Sequence, residues 1–177
     1  EAYTNGVVSV MVDPDVNVGN EITGTANADT LVSAAGNDTI TGGGGNDLLD
    51  LTEVYASGGM SDVTSDLVVD LAQGTTQDPS GLMGSDTLVN IDNVATGKGD
   101  DSVVGSQAAN AITTDLGNDS VGSNDTVDGG GGADTIRTGA GDDVIYYGAQ
   151  ADIDGGTGDD TLRIQDASTD LASSLAT

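Results

Sequence analysis

The sequence predicts an all-β chain wound as a right-handed parallel β-roll, a β-solenoid of 18 residues per coil with one irregular, strand-containing insertion. Three observations predict it. A nine-residue unit recurs in register, covering about half of the chain clearly and more of it in degenerate form. An apolar residue stands two places after an aspartate in most units, flanked by outward-facing positions, which is the alternation of a very short strand. Glycine accounts for 28 of 177 residues, whereas the aromatics amount to four tyrosines, so the interior must be thin and built from Leu, Ile and Val.

The elements follow in chain order. Residues 1–14 form an N-terminal extension without repeats. Its start, Glu1-Ala2-Tyr3, carries neither an initiator Met nor a signal peptide, so the chain is expected to be a piece of something larger. A first repeat block spans residues 15–50. Its opening unit, DVNVGNEIT (15–23), keeps Ile22 in the apolar column but has Asn20 in the acidic one, and reads as a cap. Three units in register come next: GTANADTLV (24–32), SAAGNDTIT (33–41) and GGGGNDLLD (42–50). Their sixth position holds Asp29, Asp38 and Asp47; their eighth holds Leu31, Ile40 and Leu49.

Residues 51–95 are an irregular, strand-containing solenoid segment of wider turns. SDLVVDLAQGTT (65–76) reads as a strand ending in a Gly turn, and QDPSGLM (77–83) as a loop shaped by Pro79 and Gly81. Leu88, Ile91 and Val94 can continue the core.

A second repeat block spans 96–164. TGKGDDSVV (96–104), GSQAANAIT (105–113) and TDLGNDSVG (114–122) carry Asp101, Asn110 and Asp119 at position six. A short unit, SNDTVD (123–128), keeps Asp125. GGGGADTIR (129–137) and TGAGDDVIY (138–146) supply Asp134 and Asp143; an eight-residue unit, YGAQADID (147–154), supplies Asp152; and GGTGDDTLR (155–163) supplies Asp160. Residues 165–177 are a tail without repeats.

These units match G-G-x-G-x-D-x-U-x, with U apolar. On those residues the chain resembles the RTX (repeats-in-toxin) calcium-binding nonapeptide family, in particular bacterial secreted, surface-layer or adhesin domains of that type. DTLVNIDNV (86–94) resembles a linker strand pair between the repeat blocks of such surface proteins. The resemblance implies several bound Ca2+ ions, an extracellular or cell-surface location, and export by a type I system as an unfolded chain. The family's C-terminal secretion signal is not evident at Leu171–Thr177.

The residues themselves point the same way. Glycines at positions one, two and four permit positive φ and a tight turn with inward carbonyls. Aspartate at position six adds a carboxylate. Two units make one coil, so units n and n+2 stack roughly 4.8 Å apart. Carbonyls and carboxylates of stacked turns can then surround an ion at about 2.3–2.6 Å. The candidate metal residues are Gly24, Ala26, Asp29, Asp38, Gly42, Gly44 and Asp47 in the first block. In the second they are Gly99, Asp101, Gly117, Asp119, Asp125, Gly129, Gly131, Asp134, Gly141, Asp143, Asp152, Gly156, Gly158 and Asp160. The expected stacked pairs are Asp29–Asp47, Asp101–Asp119, Asp143–Asp160 and, more weakly, Asp134–Asp152. Asp38 faces the degenerate Asn20 turn. Asp100, Asp142 and Asp159, at position five, are expected to expose their side chains. Without an ion the stacked carboxylates repel, by about 1 kcal/mol per pair at 4 Å even in water, so ion binding and folding should be coupled.

Composition narrows the partners. Thirty acidic residues against three basic ones give a formal charge of −27, which excludes nucleic acid and repels anionic membranes. No apolar stretch is long enough for direct membrane insertion. Without His or Cys only oxygen ligands remain, favouring calcium over magnesium and both over zinc or copper. The implied macromolecular partners are copies of the chain itself or other cell-surface components.

Catalysis is not expected. Paired carboxylates serve in glycoside hydrolysis, but every such pair here lies in a repeat turn, and no His, Cys or Lys constellation offers a nucleophile. Ice binding through threonines at position three fails, since only Thr157 among nine such positions is threonine. Two functions remain: a calcium-rigidified structural module of a secreted adhesin or surface-layer protein, or an accessory roll attached to a secreted protease, lipase or alginate epimerase.

Overall fold

A segment of the form x-U-x can bury one side chain and leave the two beside it more exposed, and that is what most three-residue strands of this chain do. The computed structural model describes residues 19–56, 59–81, 83–114, 123–147 and 152–164. Among these there are strands, turns and bends but no helix, and so none long and apolar enough to cross a membrane.

The strands form two sheets. One has nine strands, in the spatial order β1 (Glu21–Thr23), β3 (Thr39–Thr41), β8 (Thr87–Val89), β7 (Thr75–Gln77), β6 (Val68–Asp70), β10 (Ser102–Val104), β12 (Thr126–Asp128), β14 (Val144–Tyr147) and β16 (Thr161–Ile164). The other runs β2 (Thr30–Ala34), β4 (Leu48–Ala56), β9 (Asn93–Ala95), β11 (Ala111–Thr113), β13 (Thr135–Arg137) and β15 (Asp152–Asp154), with β5 (Gly59–Asp62) paired antiparallel to the end of β4. Outside the insertion, successive described strands alternate between the two sheets, as a solenoid requires.

The apolar column of the repeat is the core. Ile22 pairs with Ile40, Ile40 with Leu88, Val103 with Val127 and Val127 with Ile145 in one sheet. Leu31 pairs with Leu49, Leu49 with Val94, Val94 with Ile112 and Ile112 with Ile136 in the other. All of these are buried, and Leu51, Val54, Val63, Leu67 and Met83 extend the same core into the insertion. At the last strand the column opens, with Leu162 54% exposed.

The 18-residue coil holds only in part. Backbone partners stand 18 residues apart from Asn20 to Asp38, from Asp29 to Asp47 and from Asp125 to Asp143. The separation is 24 from Asp101 to Asp125 and from Asn110 to Asp134. It is 17 from Asp143 to Asp160.

The insertion departs further. Residues 65–76, expected to be one strand and a turn, instead form most of a hairpin: β6 and β7 pair antiparallel around a turn at Gly74. Both strands enter the nine-stranded sheet between β8 and β10, whereas β9 and β11 lie directly side by side in the other sheet. The loop that follows is fixed by Asp78, whose carboxylate accepts the N–H groups of Ser80 (2.8 Å) and Met83 (2.9 Å).

Candidate metal centre

Position six needs an acceptor that can reach backward, and the structure shows why. In a stack of repeat turns, the N–H of the position-six residue points toward the next coil, Asp86 and Asp92 beside the insertion excepted. There it donates to a carboxylate oxygen of the position-six aspartate. Asp29 N–H donates to Asp47 Oδ1 (2.9 Å), Asp47 to Asp92 Oδ2 (2.9 Å), and Asp38 to Asp86 Oδ1 (2.9 Å). Leu67 of the insertion donates to Asp101 Oδ1 (2.8 Å), and within the second block Asp101 donates to Asp125 Oδ1 (2.8 Å), Asp125 to Asp143 Oδ1 (2.8 Å), and Asp143 to Asp160 Oδ1 (3.2 Å). Asn110 donates likewise to Asp134 Oδ1 (3.0 Å). The position-six carbonyls are used as well: Leu48 N–H donates to the carbonyl of Asp29, and Thr126 N–H to that of Asp101.

The second carboxylate oxygen is left over. Oδ2 of Asp47, Asp101 and Asp125 is buried and makes no hydrogen bond. The hydroxyls of Thr96 and Thr114 lower the pKa of Asp101 and Asp125 without reaching hydrogen-bond geometry with these oxygens. The whole side chains are almost fully enclosed, at 1%, 2% and 1% exposure. Burial accordingly pushes Asp101 up to about 6 and Asp125 up to about 7, and it raises Asp47 and Asp134 as well. Neighbouring charge adds to the shift, from Asp101 and Asp143 at Asp125 and from Asp29 and Asp92 at Asp47. Carboxylate repulsion was the penalty expected from the sequence; loss of water is the larger one.

Glycine at position one does a different job from the one expected. Positive φ is found at positions two and four, as at Gly43 (101°) and Gly45 (121°) in the unit 42–50. Gly42, at position one, is needed for space: a Cβ there would lie 2.5 Å from Asp47 Oδ2 and 2.1 Å from the Asn90 carbonyl.

The other candidates fall as follows. Asp29 is buried, but its Oδ2 accepts the Thr25 N–H and hydroxyl. Gly44 and Gly131 donate N–H to the Thr25 and Ser106 carbonyls of the preceding coil. Gly141 donates to Thr157, and Thr157 in turn to Gly139. Gly24, Gly99, Gly129, Gly156 and Gly158 each lie in a turn where an added Cβ would strike the stacked turn or its own aspartate. Gly117 and Asp119 lie outside the described residues. The partner expected for Asp101 was Asp119; its stacked neighbour is Asp125.

Asp152 requires a correction. It pairs with Thr135, one place after position six, so its side chain is exposed and lies 3.9 Å from Arg137. It does not stack its carboxylate on Asp134. The unit 147–154 is one residue short, so Asp152 falls one place past position six in the register and its side chain faces outward.

Asp86 and Asp92 were missed, although both hold position six in the stack. GSDTL (84–88) carries the Gly, Asp and apolar residue of the unit at the right spacing, and that was the available signal. The position-five side chains are exposed as expected, yet they form a ladder of their own. Asn124 N–H donates to Asp100 Oδ1, Asp142 N–H to Asn124 Oδ1, and Asp159 N–H to Asp142 Oδ1.

No three acidic side chains converge on one point among the described residues. An ion here would therefore draw on one or two carboxylates and on backbone carbonyls, an oxygen-only donor set suited to a hard cation. The fit rests on the orphaned Oδ2 atoms. Nine aspartates are buried among the described residues, and the whole sequence has three basic residues to set against them. Of these, Lys98 pairs with the exposed Asp62 (3.0 Å), and Arg163 lies over the Tyr146 ring, 5.5 Å from its centroid.

A family model for the RTX calcium-binding nonapeptide repeat (four copies) matches residues 20–52, 90–121 and 122–154, together more than half of the chain. No curated protein matches it.

Proposed function

The chain belongs to the RTX calcium-binding nonapeptide-repeat family, and from that premise we propose that it is a non-catalytic structural module of a secreted or cell-surface protein, of adhesin or surface-layer type. In this reading it becomes rigid only when calcium occupies its turns.

One observation carries the proposal: buried aspartates at position six, Asp47, Asp101 and Asp125, whose Oδ2 atoms make no hydrogen bond, in a chain with too few cations to neutralise them. A buried unpaired carboxylate is costly enough that it must be protonated, paired or bound to metal. At neutral pH the family's ion is the remaining partner. Position-six carboxylates and turn carbonyls would hold it, and it would supply the positive charge between successive coils. Binding is then part of folding. Weak sites suit this role, since extracellular calcium modules bind on the order of 0.1–1 mM.

The non-catalytic reading is supported by the use of each aspartate. Those at position six are engaged in backbone hydrogen bonds that hold the stack together. The surface-protein reading is favoured over an accessory roll by the strand insertion between the repeat blocks, which extends the core rather than interrupting it.

Circular dichroism of a chelator-stripped sample during calcium titration, with magnesium as control, tests this. The expected result is a disordered spectrum that converts to strand with calcium and not with magnesium. An ordered strand spectrum in excess chelator at neutral pH would overturn it.

A further inference from the structure

We propose that a seam of hydrogen-bond donors between the third coil, which carries β8 and β9, and the fourth, which carries β10 and β11, takes the place of calcium there, dividing the ion columns of this chain into two separate blocks. The inference rests on the calcium reading above and specifies which turns it applies to.

In the nine-stranded sheet the third coil contributes Asp86. Both of its oxygens have donors: Oδ1 accepts the Asp38 N–H (2.9 Å), and Oδ2 accepts the Thr76 hydroxyl (2.9 Å). The Ser33 hydroxyl lies 3.4 Å from both Asp38 Oδ2 and Asp86 Oδ2. All four residues are at most 5% exposed. Thr76 stands opposite Val69 in the apolar column, so the hairpin delivers a hydroxyl where a repeat would deliver an aliphatic side chain. At β6, the hairpin's other strand, the place of the position-six aspartate is taken by Leu67, which has no side-chain oxygen.

In the other sheet the seam lies between the same two coils. Asn110 holds position six of the fourth coil. Its Oδ1 accepts the Ser106 N–H (2.7 Å), and its Nδ2 donates to the Asp92 carbonyl of the third coil. Here an amide donor faces a carbonyl across the gap between coils. On either side of the seam the situation reverses: Asp47 below it, and Asp101 and Asp125 above it, keep buried oxygens without donors. A cation is required where an oxygen lacks a proton and redundant where one is supplied.

Equilibrium dialysis with radioactive calcium counts the ions bound per chain, each variant first being shown by circular dichroism to form strand in calcium. Asp125→Asn is expected to lose at least one ion. Asp86→Asn is expected to lose none, and its amide can still accept the Asp38 N–H. Asn110→Asp, which removes the amide donor, is expected to gain an ion, as is Thr76→Val, which serves if Asp86→Asn does not fold. Loss of an ion by Asp86→Asn, or an unchanged count in both Asn110→Asp and Thr76→Val, overturns the seam. A wild-type chain that binds no calcium overturns the calcium reading itself, so the two failures are distinct.

Discussion

At Asp125 the two oxygens of one carboxylate meet different demands: Oδ1 accepts the Asp101 N–H of the preceding coil, and Oδ2 is buried without a donor. Substitutions separate the two roles. Asp125→Asn keeps an acceptor for the ladder and removes the buried charge. It should therefore be more stable than wild type in chelator and less stable in calcium, by about 1–3 kcal/mol in each direction. Asp125→Ala loses the ladder bond too and should be less stable in both, which denaturant unfolding with and without calcium measures. Glycine is equally specific. Gly43→Ala places a Cβ 2.0 Å from the Thr25 carbonyl at a φ of 101°, whereas Gly81→Ala, at φ 83°, meets nothing within 4 Å. The second should cost about 1–2 kcal/mol of left-handed strain and the first clearly more, read as a difference in melting temperature. The aspartate column was legible at this scale because the nine-residue period fixes it. Asp152 was misread because a shortened unit moves the register without changing the residue types, and Asp86 was passed over because its unit keeps only half of the motif.

Each regular strand contributes one buried residue, so truncating one creates a cavity that little else can fill. Ile112 is fully buried between Val94 and Ile136, and Ile112→Ala should cost about 2–5 kcal/mol in calcium, measured by denaturant unfolding. The x-U-x strands of both repeat blocks were legible because their alternation is local. The insertion was not. Its strands find partners far away in the chain, Thr39 with Thr87 and Val68 with Ser102, and no local pattern encodes which distant edge will accept a strand. Gly74 marked a turn, but only packing against β8 turns the residues after it into an antiparallel partner. The donor seam follows from that pairing, which is why Thr76 gave no signal of a role in the sequence.

Across the whole molecule the balance lies between a thin aliphatic core and a set of enclosed carboxylates. Burial holds Asp125 up to about 7 and Asp86 and Asp101 up to about 6, above their ordinary value of 3.8. Between those limits the folded chain binds more protons than the unfolded one, so calcium-free stability falls as pH rises through that window and recovers as pH falls. A chelator-treated sample should therefore gain strand signal in circular dichroism from about pH 7.5 to about pH 5, with protons standing in for calcium. No gain over that range would show that the buried carboxylates do not set the stability of the ion-free chain. The most direct measurement of the central claim is a crystallographic map of the protein grown in calcium, with anomalous scattering to identify the ion. The expected map has calcium peaks beside the inner oxygens of Asp47, Asp101 and Asp125. A folded molecule with only water, or with close-packed protein atoms, against those oxygens would contradict it.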